Sequence, residues 1–150
     1  MSKLIYYLAL GTMLSAVGVI LYASYLFFWP SKHFEIKPPT GEVTKQQFYQ
    51  GENLTYLFNY CAYEDVDIHT VRQFINIDTK QVTAIAPLDA RALKQCRQVV
   101  SSSAIIPNTI APGRYKLLVF IKYESNTLRE ITLTFETEEF EVATPLGEIK

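Results

Sequence analysis

The sequence predicts an all-β domain, an antiparallel β-sandwich of about seven strands, preceded by one N-terminal transmembrane α-helix. Three observations lead to this fold class. The chain has 150 residues, enough for one domain. Residues 4–29 carry no charge and are mostly apolar, whereas the remaining residues have the composition of an ordinary soluble domain. In that second part, apolar and polar residues alternate between turn residues.

The uncharged run of residues 4–29 predicts the helix. Such a helix is roughly 39 Å long and exceeds the roughly 30 Å of bilayer hydrocarbon. Aromatic residues suited to the two membrane interfaces are Tyr6, Tyr7, Tyr25 and Trp29. A cleavable signal peptide is the alternative, but the apolar core of a typical signal peptide is shorter than this run. We expect an uncleaved signal-anchor in the lipid bilayer, with residues 1–3 in the cytoplasm.

Small residues mark one face of this helix. Gly11, Ser15 and Gly18 lie at helical spacing, which allows another helix to approach closely. The face predicts homo- or hetero-oligomerisation through the helix. The alternative is that glycine and serine are simply common in membrane helices.

Prolines and a glycine in residues 30–41 predict a semi-rigid stalk. The sandwich is then expected at residues 42–143, followed by a tail at 144–150. Within it, four long alternating runs predict strands at 54–60, 68–77, 115–123 and 131–135. Shorter candidates lie at 42–48, 81–86, 96–101 and 139–142, and residues 88–94 favour a helical turn.

The residues around the start of the third long alternating run, 115–123, resemble a known family. Ala111-Pro112-Gly113-Arg114-Tyr115, followed by an alternating strand, resembles the P-G-x-Y entry into strand F of immunoglobulin-like domains. The resemblance implies that Tyr115 forms the corner that closes the sandwich. Leu117 stands where antibody-type domains have a cysteine, so their usual cysteine pair is absent.

The plan of a helix plus one such domain, ending in a hairpin at 123–129, resembles small single-pass membrane proteins encoded by tailed bacteriophages and prophages. This resemblance implies a partner in the host envelope, or another virion or infection protein.

Both cysteines, Cys61 and Cys96, lie in the predicted sandwich. One disulfide formed in an oxidising compartment explains this placement, and two reduced, buried thiols are the alternative. A disulfide would place the domain on the extracytoplasmic side, periplasmic in a Gram-negative host. The charges that flank the helix do not decide the orientation.

Asp65, Asp67 and His69 are candidate metal ligands because alternating residues share one face of a strand. A loop of solvated acids explains the same residues.

Two charged groups are candidates for contacts with a partner. They are an acidic stripe of Glu136, Glu138, Glu139 and Glu141, and a basic group of Arg91, Lys94 and Arg97. Solvated faces are the alternative reading, and acids on a last strand also discourage pairing between sheet edges.

No cofactor or catalytic motif is visible, and the net charge of −1 argues against a nucleic-acid partner. We therefore expect no enzyme and no cofactor. The sequence favours a membrane-anchored extracytoplasmic protein-interaction module that contacts another membrane or envelope protein. A structural subunit of a membrane-embedded assembly or virion is the alternative, and a metal-binding envelope enzyme is a lesser one.

Overall fold

The computed structural model describes residues 2–28, 32–126 and 129–143. The helix α1 spans Ser2–Phe28. The described residues form nine strands, which are β1 Phe34–Lys37, β2 Gln47–Tyr49, β3 Asn53–Ala62, β4 Val66–Asn76, β5 Val82–Ala92, β6 Gln95–Ile105, β7 Gly113–Asn126, β8 Arg129–Glu136 and β9 Phe140–Ala143. The predicted class, an all-β domain behind one apolar N-terminal helix, is confirmed.

The helix α1 is long and apolar enough to cross a membrane. Its apolar span, Lys3–Phe28, has 26 residues and a mean hydropathy of 2.1, and none of its most apolar window is buried. The sandwich therefore does not shield this apolar surface. Trp29, one of the predicted interfacial anchors, lies outside the described residues.

Two sheets form the sandwich. One contains three strands in the order β1-β3-β6, and the other contains six. In the larger sheet, β7 is the central strand: β4 pairs with one side of it and β5 pairs with β4, while β9 and β8 share its other side. The long alternating runs of the sequence become β3, β4, β7 and β8, and the inward residues of β7 are buried.

The predicted sandwich was entirely antiparallel, and one pair differs. The short strand β2 runs parallel to β9, with Phe48 opposite Val142. Phe48 is completely buried, with its ring 5.6 Å from that of Phe140. Because β2 is separated from β9 by most of the chain, no tight turn forces the two strands to run in opposite directions.

The predicted stalk at 30–41 is wrong over residues 34–37. These residues form β1, antiparallel to β3, with Phe34 opposite Ala62. Phe34 is only 2% exposed, and its ring lies 5.1 Å from that of Tyr60. An aromatic side chain that enters the core therefore outweighs the two prolines that follow it. The sandwich begins at residue 34 rather than at 42.

The predicted helical turn at 88–94 is also wrong. Residues 82–92 continue as β5, with Leu88 opposite Thr70 and Ala92 opposite Val66. Pairing with the long strand β4 overrides the local helix preference of alanine and leucine. Leu93 and Lys94 are the link to β6, which crosses to the other sheet.

Candidate functional site

The end of α1 contacts the β7–β8 hairpin. Asn126 Nδ2 donates to the carbonyl of Leu26 at 2.7 Å, and an Arg129 guanidinium nitrogen donates to the carbonyl of Phe27 at 2.9 Å. The last carbonyls of a helix have no partner within the helix, and a cation there also matches the helix dipole. The sandwich therefore supplies the cap of its own helix. We call these four residues the junction.

His33 reinforces the same end of the sandwich. Its Nε2 lies 2.6 Å from the carbonyl oxygen of Ser125, and its Nδ1 faces the carboxylate of Glu64. Both partners are hydrogen-bond acceptors, so the ring donates to both when it carries two protons. The histidine thus connects the segment before β1 to the β3–β4 loop and to the end of β7.

The candidate residues of α1 are exposed. A side chain added at Gly11 or Gly18 would meet nothing within 4 Å, and the Ser15 hydroxyl bonds back to the carbonyl of Gly11 at 3.0 Å. The candidate anchors Tyr6, Tyr7 and Tyr25 are exposed as well. The small-residue face is therefore open to another helix.

Cys61 and Cys96 form a disulfide. They lie directly opposite each other on β3 and β6, with their Cα atoms 4.0 Å apart. The bond ties the edge strand β6 to the middle strand of the smaller sheet, close to the junction end.

Tyr115 occupies the corner position that the resemblance implies. Its ring is buried, and its hydroxyl donates to the carbonyl of Ala111 at 2.7 Å. Gly113 precedes it with a φ of 152°, and a side chain there would lie 3.2 Å from the Asn76 amide nitrogen. This local geometry explains the proline-glycine-x-tyrosine pattern of the sequence.

The structure does not bring the candidate metal ligands together. Asp65 accepts a bond from the backbone N–H of Lys94 at 2.9 Å, and the Nδ1 of His69 lies 2.5 Å from the carboxylate of Asp89. Asp67 and His69 share the outer face of the larger sheet. Over the described residues, no group of three histidine, cysteine or acidic side chains is arranged to hold a metal ion.

An open depression of about 740 Å³ covers this part of the outer face. Its wall mixes the acids and His69 with Lys122, whose ammonium lies 3.1 Å from the carboxylate of Glu130. Charges of both signs next to solvent make it a hydrated surface rather than a site selective for one ion.

The basic group does not form one patch. Arg91 lies on β5 in the larger sheet, 3.6 Å from the Asp65 carboxylate, whereas Arg97 lies on β6 in the smaller sheet. Lys94 lies in the link between these strands.

The acidic stripe is partly neutralised. Lys116 lies 3.7 Å from Glu136 and 3.8 Å from Glu139, and Arg114 lies 3.9 Å from Glu139. Glu138 and Glu141 are exposed, and their backbone N–H groups bond to Gly41 and Gln46. Neither charged group is therefore a single-sign surface.

One side of the sandwich is open, between β5 and β6. The smaller sheet ends at β6 and the larger one ends at β5. Leu88 lies opposite the buried Thr70 on the inner face of β5, yet it is 49% exposed. A largely apolar cleft of about 190 Å³ enters the core here, between the aromatic residues Phe58 and Phe135 and the leucine. We call this region the open side.

Arg72 spans the open side. Its guanidinium donates to the carbonyl of Ser103 on β6 at 2.9 Å and to that of Ala86 on β5 at 3.5 Å. Its Nε is buried and has no hydrogen-bond partner among the described residues. Sequence reasoning missed this residue. The alternation of the strand could have indicated it, because every second residue of a strand lies on the same face and Arg72 follows Ile68 and Thr70 on the face of β4 that lies towards the core.

Comparisons with known proteins give fold neighbours only. No family model and no curated protein matches the chain. Among solved structures, it is similar to the PapD-like domain of human CEP192, with a TM-score of 0.44, 14% identity, and coverage of 77% of this chain and 89% of that one.

Two further neighbours are similar over much smaller shares of their own length. The sporulation control protein Spo0M of Bacillus subtilis has a TM-score of 0.38 and 9% identity, and the match covers 73% of this chain and 48% of that protein. A β-glucosidase of Listeria innocua has a TM-score of 0.41 and 14% identity, and the match covers 76% of this chain and 16% of the glucosidase. At such identities and TM-scores these similarities carry no argument about function.

Proposed function

We propose that this chain is a membrane-anchored protein-interaction module, with α1 in the bilayer and the sandwich on the extracytoplasmic side. One observation carries the proposal: an apolar helix whose most apolar window is not buried precedes a disulfide-bonded sandwich. A lipid bilayer removes the exposed apolar surface from water, and the bond is stable where the compartment is oxidising.

The module acts without catalysis or cofactor in this proposal. Of the candidate ligands, Asp65 accepts from the backbone of Lys94 and His69 pairs with Asp89, so they do not converge on one point. Its binding partner is another membrane or envelope protein. Following the family resemblance, we further propose that a phage or prophage encodes the chain and that the partner belongs to the host envelope or the virion.

A single cysteine tests the orientation. Cys61→Ser leaves Cys96, which is exposed on β6, as a free thiol. In spheroplasts that express the full chain, a membrane-impermeant maleimide is expected to label this variant without lysis. The reciprocal Cys96→Ser variant leaves the buried Cys61 and should react more slowly. Labelling that appears only after lysis would contradict an extracytoplasmic domain.

The open face of α1 favours a second candidate, a subunit of a membrane-embedded assembly. Its helix would then pack against neighbours along Gly11 and Gly18. The mass of the protein in mild detergent distinguishes the two functions, because a discrete monomer without a co-purifying protein contradicts the assembly.

A further inference from the structure

We propose that the partner of this module binds by adding an extended strand to the outer edge of β6, with apolar side chains and one carboxylate directed into the open side. This inference rests on the proposed function, since it names how that module recognises a protein. The reasons are the free backbone edge, the uncovered inner face of β5 and the charge of Arg72.

The outer edge of β6 offers backbone groups that no other described strand pairs with. Ile106 directs its N–H to Glu52 and its carbonyl to Gly51, towards the neighbouring chain before β3. Backbone groups alternate in direction along a strand, so those of Ser103 and Ile105 point to the outer edge. The bond from Arg72 to the Ser103 carbonyl agrees with this direction. Because Arg72 already uses that carbonyl, a partner strand would pair with the Ser103 N–H and the backbone groups of Ile105.

The two edges of the open side differ in how they resist strand addition. β5 contains Pro87, which has no N–H, and its register with β4 shifts at this point, between Thr70 and Arg72. Proline and such irregularities blunt the edges of natural sheets. β6 contains no proline and no acid, and residues 98–105 carry no charge. The accessible edge is therefore that of β6.

An added strand would also cover apolar surface. The three-stranded sheet ends at β6, whereas β5 of the six-stranded sheet presents the half-exposed Leu88 from its inner face. Val82 and Ile105, also exposed, lie on the outer faces of their sheets, opposite Ile75 and Asn53, so Leu88 is the exposed apolar residue that faces the open side. A strand beside β6 would bury Leu88 and fill the cleft next to it.

The occupant of this edge is either a second copy of the chain or a strand of another protein, and charge favours the other protein. Of the described residues, Arg72 is the one charged residue that lines the cleft, and its buried Nε has no hydrogen-bond partner among them. A two-fold pairing of two β6 edges near Ser103 would bring two Arg72 guanidinium groups side by side, so a second copy of the chain is disfavoured. A strand with a carboxylate among its inward side chains satisfies the same guanidinium.

A designed peptide tests the inference on the full chain in detergent micelles. The probe is a blocked peptide of about nine residues, long enough to pair with β6. Its inward positions are valine except for one central glutamate, and threonine fills the others. Saturable binding is expected, with slower hydrogen exchange at the amides of Ser103 and Ile105 and unchanged exchange along β5.

Two control peptides separate backbone pairing from charge. The same peptide with N-methylated backbone amides loses its donors and should not bind. The same peptide with lysine in place of glutamate should bind about tenfold more weakly or worse, and Arg72→Gln in the protein should remove this preference. Equal binding of all three peptides overturns the inference.

Two variants at one position provide matched controls in the protein. Ser103→Pro removes the outward N–H, whereas Ser103→Ala keeps it and changes only an exposed side chain. Binding is expected to be lost in the first and kept in the second. Should Ser103→Pro fail to fold, the N-methylated peptide on the unaltered protein still tests backbone pairing, from the side of the peptide.

Three outcomes contradict the proposed edge. They are an acidic peptide that leaves exchange at Ser103 unchanged, a Ser103→Pro variant that folds and binds as tightly as Ser103→Ala, and protection of β6 that grows with protein concentration without peptide. The last result would identify a second copy as the occupant. None of them alters the maleimide result, so failure of this inference and failure of the proposed function are distinguishable.

Discussion

At the scale of single residues, tyrosine hydroxyls fasten strands to distant parts of the backbone. The Tyr123 hydroxyl donates to the carbonyl of Phe34 at 3.2 Å, and burial raises the pKa of this phenol. Tyr115 makes the shorter bond to Ala111 within the corner. In both cases the ring fills the core while the hydroxyl satisfies a backbone carbonyl, which explains why tyrosine rather than phenylalanine stands at these inward positions.

Tyr115→Phe is expected to lower the free energy of unfolding by about 1 to 2 kcal/mol, because it leaves the Ala111 carbonyl without its donor while the ring still fills its place. Urea unfolding of the full chain in micelles, followed by circular dichroism, measures this loss. The control is Tyr49→Phe, which removes an exposed hydroxyl on β2 and should change stability by less than about 0.5 kcal/mol. Equal losses in the two variants would contradict a special role of the corner.

At the scale of elements, β6 is an edge strand held by one neighbouring strand. Among the described strands it pairs with β3 alone, and this pairing shifts register between Phe58 and Tyr60. The disulfide lies beyond that shift, at the junction end of both strands. It therefore secures the part of β6 that the irregular ladder holds least well. An edge that is free for a partner needs such support from its one neighbour.

Removal of the disulfide by Cys61→Ser with Cys96→Ser is expected to destabilise the domain by about 3 to 4 kcal/mol, since a separation of 35 residues closes a sizeable loop in the unfolded chain. Thermal unfolding with and without a reducing agent measures the effect. The reductant should lower the Tm of the natural protein and leave that of the double variant unchanged. A double variant as stable as the natural protein would show that the bond contributes nothing.

At the scale of the whole molecule, the helix and the sandwich are connected by side chains as well as by the chain. Asn126 and Arg129 reach the last carbonyls of α1 from the β7–β8 hairpin. This arrangement predicts that the sandwich holds a defined direction relative to the helix instead of swinging on a stalk. A partner would then meet the open side at a set height above the proposed membrane.

Arg129→Ala is expected to loosen the junction, because it removes the donor to Phe27 and the cation at the end of the helix. Nitroxide labels on Tyr22→Cys in α1 and Thr132→Cys in β8 report the distance between the two parts in lipid nanodiscs. The distribution should broaden in Arg129→Ala. It should stay narrow in the control Arg114→Ala, which removes an exposed arginine that pairs with Asp78. Equal widths in both variants would contradict the junction.

The sequence by itself determined the division into one apolar helix and a domain of alternating strands. It also indicated Tyr115 and the two cysteines as residues that hold the domain together. These features are local: a run without charge, a period of two residues and a turn motif are each visible within a short stretch of chain.

Only the tertiary structure decided how distant segments meet. Phe34 became part of β1 because β3 offers it an aromatic surface, and residues 88–92 became strand because β4 pairs with them. Arg129 caps a helix that lies 102 residues away along the chain, and Arg72 reaches Ser103 on the other sheet. Such contacts depend on which strand lies beside which, and local preference contains no information about that order.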